Sequence, residues 1–404
     1  MKHKIAPVIS MFACFVLYQT NIYASEFRVF GHNATAMGGT GVASSQGTLA
    51  LYYNPAAVAI KGPVPRITGS IGVLWRDTGI AERLDSLADK DWNSVQMNPT
   101  AIAAEADSIK TEILAIEDSD GAMFDVGGQL AVQFGIGPAG SMAVGAFSDV
   151  QAGVAPIIDR TRINISLPSD PNSIANNETK IVFKGIALTE VPLGYAQKIS
   201  FAGHQLNVGG AVKFMSATTF DGSINIEDVG DSGNLDNKLS RMDMEDNNFG
   251  VDLGVLYIAP ADLLSAGLVV KNINSPSFDT VEGNTIDENM QLRAGVEAAL
   301  LKRKLRASFD LDLTENETVI QGYNSRFAGI GVALAPTKGI SLQGGVSKNL
   351  SETDPGIIYS LGVGLGFGVI HVNVAAMMSS KMGQFDDNSF PAEARVLLAL
   401  ESTF

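Results

Sequence analysis

Apolar and polar residues alternate along most of the chain after residue 65. Between residues 305 and 313, every odd position is apolar and every even position is polar. A period of two predicts a β-strand with one apolar face and one polar face. The same alternation predicts fourteen strands, at about residues 66–76, 123–136, 141–152, 179–197, 204–220, 247–259, 264–273, 289–301, 304–314, 325–335, 339–349, 357–367, 369–379 and 392–404.

The links between these strands alternate in length. Short links are expected at residues 137–140, 199–203, 260–263, 301–303, 336–338 and 368. Long links are expected at residues 77–122, 153–178, 221–246, 274–288, 315–324, 350–356 and 380–391. An even number of strands with short and long turns in alternation is typical of an all-β, antiparallel transmembrane β-barrel. A soluble exported β protein remains as another reading, because a sandwich also alternates along its strands.

Two segments depart from the simple pattern. Residues 355–380 carry no formal charge when His371 is neutral, which would suit a membrane helix, but five glycines and the renewed alternation favour a hairpin turning at Gly366–Gly368. In the link at 77–122, apolar positions at helical spacing follow Pro99, and AERLDSLADKDW before it is also helix-compatible. We expect a helical hairpin on the extracellular side there.

Both ends of the chain carry targeting patterns. Lys2 and Lys4 precede an uncharged apolar run, and the small residue Ala24 ends the region, so we predict a signal peptide at residues 1–24, cleaved after Ala24. At the other end, Val396, Leu398, Leu400 and Phe404 share one face of the last strand. This terminal pattern resembles the signal read by the outer-membrane assembly machinery, although Ser402 interrupts it.

Composition fits this reading and excludes some partners. The chain is 46% hydrophobic and 18% charged and contains 42 glycines, a balance typical of a membrane barrel. Its net charge is -15, and loss of Lys2 and Lys4 with the signal would make it -17. Nucleic acid is therefore not expected as a partner, because phosphate binding needs clustered Lys and Arg. The single cysteine, Cys14, lies within the predicted signal peptide.

The sequence contains little that indicates an enzyme. A nucleotide-binding loop would need a lysine after the glycines at 38–41, and none occurs between Lys4 and Lys61. The histidines of the mature chain, His32, His204 and His371, are far apart in sequence. We expect no enzyme activity, no cofactor and no metal site. Acidic residues at 228–246 suit either a solvated outer loop or a calcium site, but they lack the ordered spacing of a dedicated calcium loop.

The glycine-rich stretch near the N-terminus carries a family resemblance. Residues 36–43 (AMGGTGVA) and 51–56 (LYYNPA) resemble the N-terminal signature of the long-chain fatty-acid transporter (FadL-like) superfamily. The helical insert, residues 185–191 (GIALTEV) and residues 195–196 ahead of 206–213 resemble the conjugal-transfer TraF-type family.

The resemblance implies a fourteen-stranded barrel over residues 63–404 with an N-terminal plug over residues 25–62. The expected plug or hatch residues are Gly38, Gly39, Gly41, Asn54, Pro55 and Ala56. Such a segment either opens as a hatch or only closes the barrel floor, and the sequence leaves both open. Asn54 is also suited to cap a short helix that begins at Pro55.

Polar residues at the positions of the strands that are expected to face inward are candidates for the lumen wall. They either pair across the lumen or line a path through it. They include Arg293, Glu297, Arg306, Asp310, Asp312, Asn207, Lys213, Asp252, Gln129 and Gln133.

Together with the patterns, the resemblance to TraF-type proteins implies a non-enzymatic outer-membrane barrel of a Gram-negative bacterium with a structural or interaction role in the envelope. The alternative, which the wider FadL-like resemblance implies, is a passive transporter of hydrophobic small molecules across the outer membrane. Expected partners are outer-membrane lipid, the barrel assembly machinery and either hydrophobic small molecules or envelope and conjugation proteins.

Overall fold

The computed structural model describes residues 24–45, 47–60, 66–136, 140–229, 243–337, 339–385 and 388–403. Fourteen antiparallel strands form a closed barrel, as the alternation predicts. The barrel strands are β2 (Arg66–Asp77), β3 (Ala122–Ile136), β4 (Gly140–Ile157), β5 (Lys180–Phe201), β6 (His204–Asn225), β7 (Asp243–Ile258), β8 (Leu264–Lys271), β11 (Gln291–Leu300), β12 (Leu305–Asp312), β15 (Phe327–Thr337), β16 (Ile340–Asn349), β17 (Ile357–Phe367), β18 (Ile370–Ser379) and β21 (Glu393–Thr403).

Closure of the barrel joins its first and last strands. β2 pairs with β21 along its length, from Arg66 opposite Thr403 to Arg76 opposite Glu393. Each barrel strand otherwise pairs with the barrel strands that precede and follow it in sequence. Such a closed ring satisfies the backbone hydrogen bonds of every strand within the protein, which a backbone surrounded by lipid requires.

The outer face of the barrel is apolar and the inner face is polar. Large apolar side chains such as Leu361, Phe367 and Val212 are exposed on the outside. Ser360 and Lys213, within the same strands, and Asn373 on the neighbouring strand β18 point inward and are buried. An apolar belt of this extent around a closed barrel fits lipid rather than water. The barrel is therefore a membrane-spanning one.

Four of the strands run at least four residues further than the sequence pattern indicates. β4 continues to Ile157, β5 continues to Phe201, β6 continues to Asn225, and β7 begins at Asp243. The extension of β6 at the long-loop end buries Ile224 in the cluster formed with the helical insert, and Val154 in the extension of β4 packs against the same cluster. Packing against the insert therefore prolongs β4 and β6 beyond the membrane-facing part of the barrel.

The insert after β2 contains three helices rather than the expected hairpin of two. They are α3 (Ile80–Ala88), α4 (Trp92–Met97) and α5 (Ala103–Ile116). Asp91 starts the additional helix α4 by accepting a hydrogen bond from the Ser94 amide. Their apolar faces share one buried cluster, to which α5 contributes Ile109 and Ile113. None of the described helices is long and apolar enough to cross a membrane.

Short elements fill the two ends and the interior. The N-terminal part contains β1 (Ala24–Ser25), α1 (His32–Ala36), α2 (Ala50–Tyr53) and 3-10 turns at Gly47–Leu49 and Pro55–Ala59. The longer links contain strands β9 (Ser277–Asp279), β10 (Thr285–Asp287), β13 (Asn316–Glu317), β14 (Asn324–Ser325), β19 (Met382–Phe385) and β20 (Asn388–Pro391). The uncharged region at 355–380 is the predicted hairpin, with its turn between Phe367 and Ile370.

Candidate functional site

The N-terminal part of the chain runs through the barrel lumen. At the long-loop end, β1 pairs in parallel with β13, between barrel strands β12 and β15. At the short-turn end, the Gln133 side chain donates to the carbonyl oxygens of Val58 and Ile60. We call the described residues between 26 and 60 the inner segment. It enters the lumen at one end of the barrel and reaches the other before the chain turns into β2.

Backbone amides of the inner segment bind polar side chains of the wall. The Oδ2 atom of Asp310 accepts hydrogen bonds from Gly41 N at 2.7 Å and Val42 N at 2.9 Å. The Gly38 amide donates to Ser360 Oγ at 2.9 Å. These bonds satisfy buried amides that regular secondary structure leaves unpaired, so wall and inner segment complete each other.

Glycines of the wall make room for the inner segment. A Cβ atom added at Gly209 would lie 2.6 Å from backbone atoms of Pro55 and Ala56. Added Cβ atoms at Gly329 and Gly345 would lie 2.0 Å and 2.5 Å from Gly38 backbone atoms. Because backbone atoms cannot yield as side chains do, any larger residue at these positions would push the inner segment away. Part of the high glycine content therefore reflects this close approach.

Asn54 links three parts of the lumen. Its Oδ1 atom accepts from Ala56 N, which caps the 3-10 turn that starts at Pro55 as the sequence indicates. Its Nδ2 atom donates to the carbonyl oxygens of Val42, at 3.1 Å, and Val255 on β7, at 3.0 Å. The predicted plug residues Gly38, Gly39, Gly41, Asn54, Pro55 and Ala56 thus all lie inside the barrel against its wall.

A buried ion-pair cluster attaches the beginning of the inner segment to the wall. Arg28 Nε lies 2.8 Å from Asp149 Oδ2, and the other guanidinium nitrogens bond to Glu288. All three side chains are at most 6% exposed. Removing one partner from such a buried group leaves a charge uncompensated, which is strongly destabilising.

Aromatic side chains form the core around these polar links. Phe27, Phe30, Tyr52 and Tyr53 of the inner segment pack edge to face with one another and with Phe147 of β4. The Lys271 ammonium lies 3.2 Å from the centre of the Tyr52 ring. The inner segment is thus packed like a small domain core.

The predicted lumen residues are buried or half-buried on the inner face, and most of them pair with each other or with the inner segment. Arg293 contacts Asp312 at 3.2 Å and donates to the Gly39 carbonyl. Lys213 bonds to Glu190 at 2.7 Å and lies 3.3 Å from Asp252. Glu297 binds Arg306, which also reaches the Ser44 carbonyl. Asn207 and Gln129 are buried on the inner face as well.

Sequence reasoning missed several members of this network. Asp149 and Glu190 lie on inner positions of predicted strands, so the period-two pattern contained the signal for them. Arg28 has no such signal, because the inner segment has no repeating pattern and its partners are more than a hundred residues away in sequence.

The long-loop end of the lumen is closed by a second apolar layer. Phe278 and Ile286 of the β9–β10 hairpin pack against inward side chains of the wall and against Ile320 and Tyr323. Between this layer and the inner segment, a cavity of about 30 Å³ remains, room for about one or two water molecules.

A larger cavity of about 840 Å³ lies at the long-loop end, and its lining is mainly polar. The carboxylates of Asp221, Glu282 and Glu317 face it, while its apolar lining comes from Val182, Phe183 and Ile320. A binding site for hydrophobic molecules is lined chiefly by apolar and aromatic side chains. The outer cavity does not have this character.

The remaining predicted sites have the following positions. Val396, Leu398 and Leu400 are exposed on the outer face of β21, whereas Phe404 lies outside the described residues. The residues before Ala24, for which a signal peptide is predicted, and much of the acidic stretch at 228–246 also lie outside them. Among the described residues, no group of three or more His, Cys, Asp or Glu side chains is arranged to hold a metal ion.

Several solved structures have a fold similar to that of this chain. The toluene transporter TodX from P. putida matches with a TM-score of 0.54 and 12% sequence identity, over 94% of this chain and 99% of that one. The Ralstonia pickettii toluene transporter TbuX matches with a TM-score of 0.56 and 14% identity, over 94% and 100%. A Pseudomonas aeruginosa FadL homologue matches with a TM-score of 0.51 and 10% identity, over 95% and 100%.

The fold is therefore that of a FadL-like barrel, as the N-terminal signature indicates. Residues 51–312 match the family described as "F plasmid transfer operon, TraF, protein". The match spans more than half of the chain, so the protein belongs to this family. Among curated proteins, no sequence matches it.

Proposed function

We propose that this chain is a non-enzymatic outer-membrane protein whose barrel is closed at rest and which has a structural or interaction role in the cell envelope. The observation that carries the proposal is the attachment of the inner segment to the wall by buried charged groups and backbone hydrogen bonds. In this proposal, residues 1–24 are removed on export, residues 25–62 are the plug, and the short turns face the periplasm.

The two closing layers argue for a role that does not need flow through the barrel. A transported molecule would have to displace the apolar layer around Phe278 and then the inner segment with its ion pairs. Breaking a buried ion pair is unfavourable by about 3–5 kcal/mol. The barrel would then present its insert, α3 to α5, to envelope partners. The family description points to the conjugation machinery as one source of such partners.

Passive transport of hydrophobic molecules is the second candidate. Its support is the likeness in fold to TodX and TbuX, both described as toluene transporters, across most of this chain. In that case the inner segment would act as a hatch, and the barrel would need an open form in which both closing layers move.

One pair of measurements separates the candidates. The protein is first recovered from the outer-membrane fraction as a compact, heat-modifiable band on unboiled gels, which establishes the folded barrel. It is then reconstituted in liposomes, and toluene uptake is compared with that of TodX and of empty liposomes. Uptake equal to that of empty liposomes is the expected result. Uptake near that of TodX would replace the proposal by the transport reading, and a soluble periplasmic product would remove both.

A further inference from the structure

A cavity lies at the short-turn end, where the inner segment meets the wall. Its volume is about 180 Å³, which suits a small ion or a lipid headgroup fragment. It is separate from the outer cavity and from the ion pairs of Arg28. The inner segment contributes one side of its polar lining, and barrel strands β2, β12 and β21 contribute the other. The polar side chains include His32, Asn33, Ser44, Arg66, Arg306 and Glu401.

Two arginines, Arg66 and Arg306, line this cavity although the chain as a whole is acidic. The turn between β11 and β12 and the first residues of β12 read LKRKLR at 301–306, with four cations in six residues, against a net charge of -15 for the chain. Arg66 adds a fifth cation. The facing carboxylates are Glu401, 3.3 Å from Arg66 Nε, and Glu297, which binds Arg303 and Arg306. Such an excess of cations raises the local concentration of anions.

A buried polar atom of the inner segment beside the cavity lacks a partner. Among the described residues, His32 Nδ1 has no hydrogen-bond partner, and the side chain is only 4% exposed. His371, opposite Glu401 in the pairing of β18 with β21, also has an unpartnered Nδ1 atom. Buried polar groups are nearly always hydrogen-bonded, so unpaired ones beside a cavity point to a bound molecule that accepts hydrogen bonds.

We propose that this cavity binds a phosphate group between the inner segment and the wall. The phosphate is either inorganic phosphate or part of a phospholipid headgroup. The guanidinium groups of Arg66 and Arg306 have the planar donor geometry that phosphate oxygens match. Glu401 remains the counter-charge of Arg66 and favours a small anion over a polyanion. The bound phosphate joins His32 to the wall and thereby stabilises the closed inner segment.

Calorimetry on the full mature chain in a maltoside detergent, which contains no phosphate, tests the site with inorganic phosphate. Wild-type protein is expected to bind it saturably with one equivalent. The double variant R66Q/R306Q is expected to bind about tenfold more weakly or worse, because it loses charge-assisted hydrogen bonds. The matched control R160Q/R162Q removes the same charge from one exposed and one half-buried arginine at the long-loop end and should bind like wild type.

A lipid arm distinguishes the two sources of phosphate. Native mass spectrometry compares retention of phosphatidylglycerol with that of uncharged diacylglycerol. Selective retention that R66Q/R306Q abolishes identifies the headgroup, whereas calorimetric binding without lipid retention identifies the free ion. All variants must show the heat-modifiable band, and R66Q alone replaces the double variant if that one does not fold. Absence of saturable binding in both arms, or equal binding by wild type and arginine variants, overturns the proposal.

Discussion

The Asp310 carboxylate on the wall and the Gly41 amide of the inner segment lie 2.7 Å apart, and the same oxygen also accepts from Val42 N. Residues 269 positions apart in sequence thus form one of the links that hold the lumen closed. Arg293, which lies 3.7 Å from the same carboxylate, supplies its counter-charge. Because the acceptor is charged and buried, this link contributes more than a neutral hydrogen bond would.

Replacing Asp310 by Asn is expected to loosen the inner segment. The neutral amide keeps the shape but weakens two hydrogen bonds and removes a partner of Arg293, a loss of about 2 kcal/mol or more. Hydrogen exchange of residues 38–45 should become faster while the barrel strands stay protected. The control D287N changes an exposed carboxylate in the outer hairpin and should leave the exchange unchanged. Equal protection in D310N and wild type would contradict the assigned link.

The glycine contacts lead to a second prediction. Gly209→Ala places a Cβ atom 2.6 Å from the backbone of Pro55 and Ala56, so the inner segment must shift. Overpacking of this kind is unfavourable by about 1–3 kcal/mol, which should lower the urea midpoint of unfolding. Gly69→Ala is the matched control, because its nearest neighbour would lie at 3.6 Å, an ordinary contact. A G209A midpoint no lower than that of G69A would show that the inner segment does not rest against β6.

The helical insert should unfold separately from the barrel. Ile109→Ala removes a fully buried side chain from the cluster shared by α3, α4 and α5, at a cost of about 2–5 kcal/mol. Limited proteolysis should then cut within residues 80–116 while the heat-modifiable band persists. Met97→Ala, at a side chain 73% exposed, should leave the cleavage pattern unchanged. Loss of the band in I109A would mean instead that the insert is needed for barrel stability.

Acid is expected to weaken the attachment of His32. Burial, followed by the nearby Arg306 and His371, lowers the pKa of His32 from 6.5 to about 4. The folded form therefore keeps His32 neutral between these values, whereas the unfolded chain binds a proton there. Stability should fall as pH drops from about 7 to about 4, by up to about 3 kcal/mol from this residue alone.

Urea unfolding of wild type and His32→Gln at pH 7.5 and pH 5 measures this effect. Other charged or ionisable groups lie near His32, among them Glu401, Arg66 and His371, so only the difference between the two proteins reports on His32. H32Q should lose less stability on acidification than wild type does. An identical loss in both proteins would show that His32 is not buried in its neutral form.

The barrel itself could be predicted from the sequence because each strand is indicated by the residues within that strand. Each strand carries its own alternation, and the inward or outward direction of a side chain such as Asp310 or Phe309 follows from its position in that alternation. The cap at Asn54 is equally local, since the polar side chain and the proline that follows it are adjacent. The third helix of the insert was missed, although the Asp91 cap that begins it lies within the segment read as helical.

By itself, the sequence therefore determined the number of strands, their order and the faces they turn to lipid and lumen. The period of two defines the strands, and the alternation of short and long links favours a closed antiparallel barrel, which satisfies every backbone hydrogen bond in lipid. Only the tertiary structure decided how the lumen is filled. Arg28 meets Asp149 and Glu288, and Gly209 meets Pro55, across long stretches of chain. Such contacts depend on where closure of the barrel brings each side chain, and no repeating pattern along the inner segment encodes that position.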